Sequence, residues 1–232
     1  MYAKKVLNKK NTTIFNTGSD TFSQLGVNNP FQKEKNALAY ERLLKVPFVK
    51  QIRRDEAKLL SRLFNENLNR DDIVLEIGAG TGYYSITIAS LVKQLIAIEP
   101  AKDMAQQLRE KAAIYQITNI ELHEKYFEQF ESDFGFDHVI AIGVLDYISN
   151  PGVFIERCLS LARKKFIFTA PHKGLWTFFY KMGALFQQTN IYRYSKKDLI
   201  QLFPNSKLQL DDAGLKSLLT RGFSLVCMAS GS

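Results

Sequence analysis

Residues 73–82 read Ile-Val-Leu-Glu-Ile-Gly-Ala-Gly-Thr-Gly, and residues 95–100 read Leu-Ile-Ala-Ile-Glu-Pro. The apolar start of each stretch predicts a buried strand, and the glycines predict a tight turn into a helix over residues 83–92. Glycines let the backbone approach a ligand that a Cβ atom would block. Glu99, at the end of the second strand, can accept hydrogen bonds from two ribose hydroxyls. This strand–turn–helix–strand unit therefore predicts a nucleotide site.

The spacing of the glycines narrows the choice of nucleotide. A dinucleotide turn reads G-x-G-x-x-G, whereas Gly78, Gly80 and Gly82 alternate, with Glu76 two residues before the first of them. No lysine follows the glycines at the position that a triphosphate loop requires. The spacing therefore disfavours both a nicotinamide dinucleotide and a nucleoside triphosphate.

The pattern resembles motif I of the class I S-adenosylmethionine-dependent methyltransferases, and the resemblance covers the chain from about residue 40 to its end. It implies that the cofactor is S-adenosylmethionine and the product S-adenosylhomocysteine. It also implies that the loop wraps the methionine moiety and that Glu99 holds the ribose. The residues assigned to the cofactor by this resemblance are Glu76, Gly78, Ala79, Gly80, Gly82, Glu99, Pro100, Met104, Tyr126, Phe127 and Gly143.

The adenine end departs from the family pattern. After the third strand the family usually carries Gly-Asp, whose carboxylate takes the adenine amino group, but this sequence has Lys125 and Tyr126 there. Backbone carbonyls or Glu128 could supply that contact, and Tyr126 or Phe127 could stack on the ring. Met104 could pack on the ring or belong to the core.

Apolar runs and helical patterns alternate along the chain, which predicts an α/β fold with a mainly parallel sheet and helices on both faces. The resemblance implies a Rossmann-like methyltransferase fold whose seven-stranded sheet ends in an antiparallel strand. Two helices are expected before the core, one ending near Pro47 and one around residues 57–64. The predicted organisation is a tail or arm (1–30) and a methyltransferase domain (31–232), the latter comprising a helical cap (31–66), a cofactor-binding core (67–172), a lid insertion (173–194) and C-terminal strands (195–232).

The segment after the fourth strand indicates the type of acceptor. Residues 143–147 read Gly-Val-Leu-Asp-Tyr, which resembles small-molecule methyltransferases and lacks the Asp/Asn-Pro-Pro-aromatic motif of nucleic-acid amine methylation. The fifth strand is predicted over residues 165–169 and is followed closely by His172, a residue type that can take a proton from a hydroxyl near neutral pH. His172, Asp146 and Tyr147 are therefore the candidate catalytic residues, and no metal site is predicted.

Residues 174–186 are apolar nearly all round and too short to span a bilayer. With the tyrosines that follow, this segment resembles the substrate-side insertion of small-molecule methyltransferases, including those acting on magnesium protoporphyrin. The predicted acceptor-binding residues are Trp176, Phe179, Tyr180, Tyr192 and Tyr194. The alternative is that these aromatics form only the core of a lid.

The composition and charge limit the partners and the location that the sequence predicts. The 232 residues carry a formal charge of +8, spread along the chain without basic–aromatic interleaving, so no specific nucleic-acid partner is expected. No apolar run is long enough to cross a membrane, no secretory signal is recognised, and two cysteines fit a cytoplasmic protein. The predicted reaction is methyl transfer to an oxygen, or as second choice a nitrogen, of an apolar or aromatic small molecule. The alternatives are a tRNA or rRNA methyltransferase and a catalytically silent, cofactor-binding partner subunit.

Overall fold

A seven-stranded sheet runs through the part of the chain that the computed structural model describes, which comprises residues 47–173, 191–204, 208–212 and 224–230. The strands are β1 (Ile73–Ile77), β2 (Gln94–Ile98), β3 (Ile120–His123), β4 (Phe136–Ala141), β5 (Ala162–Pro171), β6 (Leu208–Asp212) and β7 (Ser224–Ser230). The helices are α1 (Pro47–Asn67), α2 (Ser85–Leu91), α3 (Lys102–Ile114), α4 (Pro151–Leu161) and α5 (Lys196–Leu202), with single 3-10 turns at Phe127–Gln129 and Leu145–Tyr147.

The sheet has the order β3-β2-β1-β4-β5-β7-β6. Strands β1 to β5 are parallel to their neighbours, and β7 inserts antiparallel between β5 and β6. Strand order reverses between β1 and β4, so a crevice opens there outside the carboxyl ends of the strands, where ligands of such sheets bind. The predicted fold class is confirmed.

Two apolar layers bury the sheet, because side chains alternate between its faces along each strand. On one face, Phe154 and Cys158 of α4 pack with Phe166 and Phe168 of β5. On the other face, α1 and α2 cover the sheet through residues that include Leu60, Phe64 and Ile88. Helix α3 packs beside them, its Leu108 lying against Ala97 and Ala79. None of the described helices is long and apolar enough to traverse a lipid bilayer.

Two elements extend well beyond the bounds expected from the sequence. The helix expected around residues 57–64 begins at Pro47, because proline is well suited to the first turn of a helix. The fifth strand, expected over residues 165–169, extends over Ala162–Pro171. Its pairing with β7 continues as far as Pro171, opposite Ser224, and this partner strand is distant in sequence. The predicted domain bounds stay predictions.

A buried polar cluster lies at the opposite end of the sheet from the crevice. Asp72 is 1% exposed, and its carboxylate accepts from the Lys164 ammonium at 2.5 Å and lies 3.3 Å from Nε2 of the buried His138. The Lys164 ammonium also lies 3.1 Å from Asp137, whose other oxygen accepts from the Ile73 N–H at 3.0 Å. The cluster joins the segment before β1 to β4 and β5.

This cluster makes stability depend on pH. Burial lowers the pKa of His138 below its usual 6.5, and the attraction of Asp72 offsets this only in part. The native histidine therefore stays neutral where the unfolded chain takes up a proton, so stability is lost as pH falls below about 6.5. We expect the free energy of unfolding to fall by up to about 1.4 kcal/mol per pH unit in this window.

Urea unfolding of the wild type and of His138→Gln between about pH 7.5 and pH 5.5 measures this effect. The difference between the two proteins isolates His138 from the other titrating groups. Parallel curves for the two proteins would contradict the assignment.

Candidate cofactor and acceptor site

The glycine turn after β1 has a backbone conformation that residues with a side chain rarely adopt. Gly78, Gly80 and Gly82 have φ angles of +70°, +58° and +77°. A Cβ atom on Gly78 would lie 2.6 Å from Cγ2 of Val144, and one on Gly82 would lie 2.9 Å from Cγ of Leu108. The turn is therefore packed tightly against the segment after β4 and against α3.

Glu99, at the end of β2, joins this turn to the start of the next helix. One carboxylate oxygen accepts from the Gly80 N–H at 2.8 Å, and the other accepts from the Ala101 N–H at 2.8 Å. The side chain is 5% exposed, and its burial raises the pKa although the two backbone bonds lower it. Each oxygen keeps a lone pair, so the carboxylate can still accept from ligand hydroxyls.

Glu76 lies beside Glu99 and is 3% exposed. Its Oε2 atom has no hydrogen-bond partner among the described residues. Burial raises the pKa of Glu76 to about 8, the Ser85 hydroxyl lowers it somewhat, and the charge of Glu99 raises it further. A buried polar atom without a partner is costly, which marks this position as one that a ligand donor could satisfy.

The crevice has room at the two places where a nucleoside cofactor needs it. The positions that Cβ atoms would take on Gly80 and on Gly143 have no atom of the described residues within 4 Å. Gly143 follows β4 with a φ of +69°, and its N–H donates to the Thr169 hydroxyl at 2.8 Å. A nucleoside bearing an amino-acid chain fits this crevice. The crevice has open glycine backbone on both sides and two buried carboxylates, one of which has an oxygen without a hydrogen-bond partner among the described residues.

The residues predicted at the adenine end differ in their burial. Met104 is 6% exposed, and Tyr126 is half-buried. Phe127 is 4% exposed, its ring packs edge-on against Phe154, and the Arg157 guanidinium lies 4.4 Å from the ring centroid. Protein atoms thus already surround the Phe127 ring, which leaves Tyr126 as the better placed of the two to stack on a base.

Glu128 lies in the same 3-10 turn and is 8% exposed, with an Oε2 atom that has no partner among the described residues. Burial raises its pKa, while its own backbone N–H and the charge of Arg157 lower it.

The turn Leu145–Tyr147 brings two candidate catalytic residues to the edge of the crevice. Burial raises the pKa of Asp146 to about 7, and the charge of Glu56 on α1 adds to this effect. Glu56 in turn accepts a hydrogen bond from the Tyr84 hydroxyl at 3.1 Å. Sequence reasoning did not select Glu56 or Tyr84. Tyr84 follows the glycine turn closely, but nothing in the sequence places Glu56 opposite Asp146.

His172 and the tyrosines meet in a neck that we define as residues 171–173 and 192–194. The Tyr194 N–H donates to the Pro171 carbonyl at 2.8 Å, and the Lys173 N–H donates to the Tyr194 carbonyl at 3.0 Å, which places His172 in a bridge opposite Tyr194. The Tyr192 N–H donates to the Asp146 carbonyl at 2.8 Å. The neck thus holds His172 and Asp146 in one region of the site.

Tyr194 differs from its expected place at a pocket mouth. Its side chain is 6% exposed, and its hydroxyl lies 3.4 Å from the carbonyl oxygens of both Leu145 and Ile148. Tyr192 is half-buried. The predicted positions Trp176, Phe179 and Tyr180 lie outside the described residues.

A family model for the methyltransferase domain matches residues 68–197, which is more than half of the chain. The chain therefore belongs to the methyltransferase-domain family. With its sheet order and antiparallel β7 it has the class I methyltransferase fold, so the predicted family and fold are confirmed.

Three similar proteins illustrate the range of relatives. A magnesium protoporphyrin IX methyltransferase from Synechocystis, solved with bound S-adenosylmethionine, superimposes with a TM-score of 0.66 at 15% identity, covering 94% of this chain and 100% of that one. The N-methyltransferase NodS from Bradyrhizobium japonicum has a TM-score of 0.60 at 14% identity, covering 81% and 98% of the two chains. At these identities the likeness concerns the fold.

A protein-L-isoaspartate O-methyltransferase from Dictyoglomus turgidum is 23% identical over 127 residues, which are 52% of this chain and 51% of that protein. The chain thus spans about half of the length of this curated relative and a quarter or less of three others. Enzymes that methylate oxygen and enzymes that methylate nitrogen both occur among the similar proteins.

Proposed function

We propose that this protein transfers a methyl group from S-adenosylmethionine to an oxygen, or as second choice a nitrogen, of an apolar or aromatic small molecule. The observation that carries the proposal is the junction of the glycine turn with Glu99, whose carboxylate accepts from Gly80 and Ala101 at 2.8 Å while the backbone of Gly80 faces open space. The cofactor supplies an electrophilic methyl group on a sulfonium. The chain has to bind it, orient the acceptor and exclude water.

Each cofactor-side residue has a proposed task. Glu99 accepts from the ribose hydroxyls, and Glu76 accepts from the ammonium group of the methionine moiety, which satisfies its unpartnered Oε2 atom. Tyr126 and Met104 flank the base, with Pro100 shaping the end of β2. The residues Gly78, Ala79, Gly80, Gly82 and Gly143 supply backbone that approaches the ligand closely, while Phe127 supports this end of the site from the core.

Asp146 is the proposed group that takes the proton from the acceptor. Its pKa of about 7 suits a carboxylate that exchanges a proton near neutral pH, and it lies in the turn that the neck holds. His172 and Tyr147 are the further candidates at this edge. The segment 174–190 joins the two halves of the neck, so the proposed lid and its residues Trp176, Phe179 and Tyr180 would cover the acceptor, with Tyr192 beside them.

The arrangement of the chain is also part of the proposal. Residues 31–232 form one methyltransferase domain after a tail of residues 1–30, and the protein acts in the cytoplasm. Free, buried Cys158 and Cys227 support a reducing environment.

Isothermal titration calorimetry tests the cofactor. We expect S-adenosylmethionine and S-adenosylhomocysteine to bind and NAD not to bind, because alternating glycines leave no site for a pyrophosphate. NAD binding without a response to either sulfur cofactor would contradict the proposal. Incubation with a methyl-labelled cofactor and separate small-molecule and RNA fractions of a cell extract then tests the acceptor, and label confined to a specific RNA would overturn the small-molecule assignment.

A further inference from the structure

The glycine turn is anchored on its inner side by β2 and on its outer side by α3. On the inner side, the N–H groups of Gly78 and Ala79 donate to the Ile98 carbonyl at 2.8 and 3.1 Å. On the outer side, the Lys111 ammonium donates to the Thr81 carbonyl at 2.7 Å and lies 3.1 Å from the Thr81 hydroxyl. Lys111 is half-buried and comes from the last turn of α3.

Three left-handed glycines make such anchors necessary. Glycine loses more conformational freedom on folding than any other residue, so a turn with three glycines in five residues has many alternatives to its observed shape. A bond from an ammonium group to a carbonyl is stronger than a bond between neutral groups. If the turn is already ordered before a ligand arrives, the conformational entropy lost on ordering it no longer weakens binding.

We propose that Lys111 is a positioning residue for the cofactor loop, holding Thr81 so that the turn keeps its binding conformation before the cofactor enters. The inference rests on the proposed function, because it assigns the turn to S-adenosylmethionine. Lys111 does not act on the reacting atoms. Its effect reaches the ligand through the backbone of Gly80 and Gly82.

The competing explanation is that Lys111 serves only the helix. A cation in the last turn of α3 stabilises the helix through its dipole, and this would not involve the loop. The two explanations differ in what Thr81 contributes, since Thr81→Val removes the hydroxyl contact and leaves α3 unchanged. Lys111→Arg keeps both the charge and a donor, so both explanations expect it to resemble the wild type, whereas only the loop explanation expects Lys111→Met to weaken ligand binding.

The experiment compares Lys111→Met, Lys111→Arg, Thr81→Val and the double variant Lys111→Met/Thr81→Val with the wild type. The matched control is Arg109→Met, which removes a cation from the same helix at a side chain that pairs with Glu124 and not with the loop. The probes are S-adenosylhomocysteine binding by calorimetry, amide hydrogen exchange of the loop without ligand, and the thermal unfolding midpoint.

We expect Lys111→Met to raise the Kd for S-adenosylhomocysteine about five- to twentyfold and to speed exchange at Gly80 and Gly82. Lys111→Arg should recover most of the affinity, and Thr81→Val should have little further effect once Lys111 is Met. Arg109→Met should leave the Kd within about twofold of the wild type.

An unchanged Kd in Lys111→Met, or an equal loss in Arg109→Met, overturns the inference, even where the unfolding midpoint falls. Faster loop exchange in Lys111→Met shows that Lys111 orders the turn, and the positioning role requires both this change and the rise in Kd. A wild type that binds neither S-adenosylmethionine nor S-adenosylhomocysteine contradicts the proposed function instead.

Discussion

Replacing Glu99 by alanine is expected to weaken binding of S-adenosylhomocysteine by about 1.5–3 kcal/mol, which is roughly a 10- to 150-fold rise in Kd. Two losses combine in this variant. The ribose hydroxyls lose a charged acceptor, and the N–H groups of Gly80 and Ala101 lose the carboxylate that joins the glycine turn to α3. The sheet itself should remain, since the β1–β2 ladder does not depend on this side chain.

Glu124→Ala is the matched control, because it removes a carboxylate after β3 that pairs with Arg109. Glu99→Gln should give an intermediate Kd, since its amide oxygen replaces only one of the two acceptors. Calorimetry gives the Kd values, and circular dichroism checks that each variant is folded. A Kd for Glu99→Ala equal to that of Glu124→Ala would place Glu99 outside the site.

The fold could be predicted from sequence because the signals for its core are local. Strands β1 and β2 lie where the apolar runs that begin at Ile73 and Leu95 predicted them, and Gly78, Gly80 and Gly82 mark the turn without any tertiary information. The full length of β5 could not be predicted in this way. Its outer residues are extended because β7 pairs with them, and β7 lies more than fifty residues further along the chain.

The candidate site likewise combines features that the sequence predicts with features that depend on tertiary packing. The glycine turn and Glu99 follow from spacing, but the coupling of Asp146 to Glu56 depends on how α1 packs over the sheet. Tyr194 illustrates the limit on the acceptor side. Its place next to an aromatic segment suggested a pocket mouth, whereas two backbone carbonyls near its hydroxyl place it inside the neck.

Cofactor binding is expected to strengthen as pH rises toward 8, by up to about tenfold per pH unit. The pKa of Glu76 is raised to about 8 by burial and by Glu99, so the carboxyl holds a proton at neutral pH in the unliganded protein. A ligand ammonium pairs with the ionised form, so binding has to release that proton below pH 8. Calorimetry in buffers of different ionisation enthalpy, between about pH 6 and pH 7.5, measures the protons released per S-adenosylhomocysteine bound.

Glu76→Gln removes the titrating group and should abolish this slope of the Kd with pH. Its Kd should match the wild type near pH 6 and be roughly fiftyfold higher near pH 8, because the ionised fraction of a carboxyl with a pKa of about 8 rises roughly fiftyfold over that range. Asp146→Asn is the matched control, since Asp146 also titrates near pH 7 and should leave the slope intact. A slope that survives in Glu76→Gln and disappears in Asp146→Asn would assign the proton to the acceptor side.

Glu76→Gln should also stabilise the unliganded protein. The native Glu76 keeps a proton that the unfolded chain gives up near pH 4.5, so folding stability is lost as pH rises from there to about 8. Glutamine carries no charge and escapes this loss, which should raise the free energy of unfolding at pH 8 by about 0.5–2 kcal/mol. Urea unfolding of the unliganded proteins gives this difference. A carboxyl group that destabilises the unliganded fold but strengthens ligand binding serves ligand binding rather than stability. A Glu76→Gln protein that is less stable than the wild type would instead assign Glu76 to the structure of the turn.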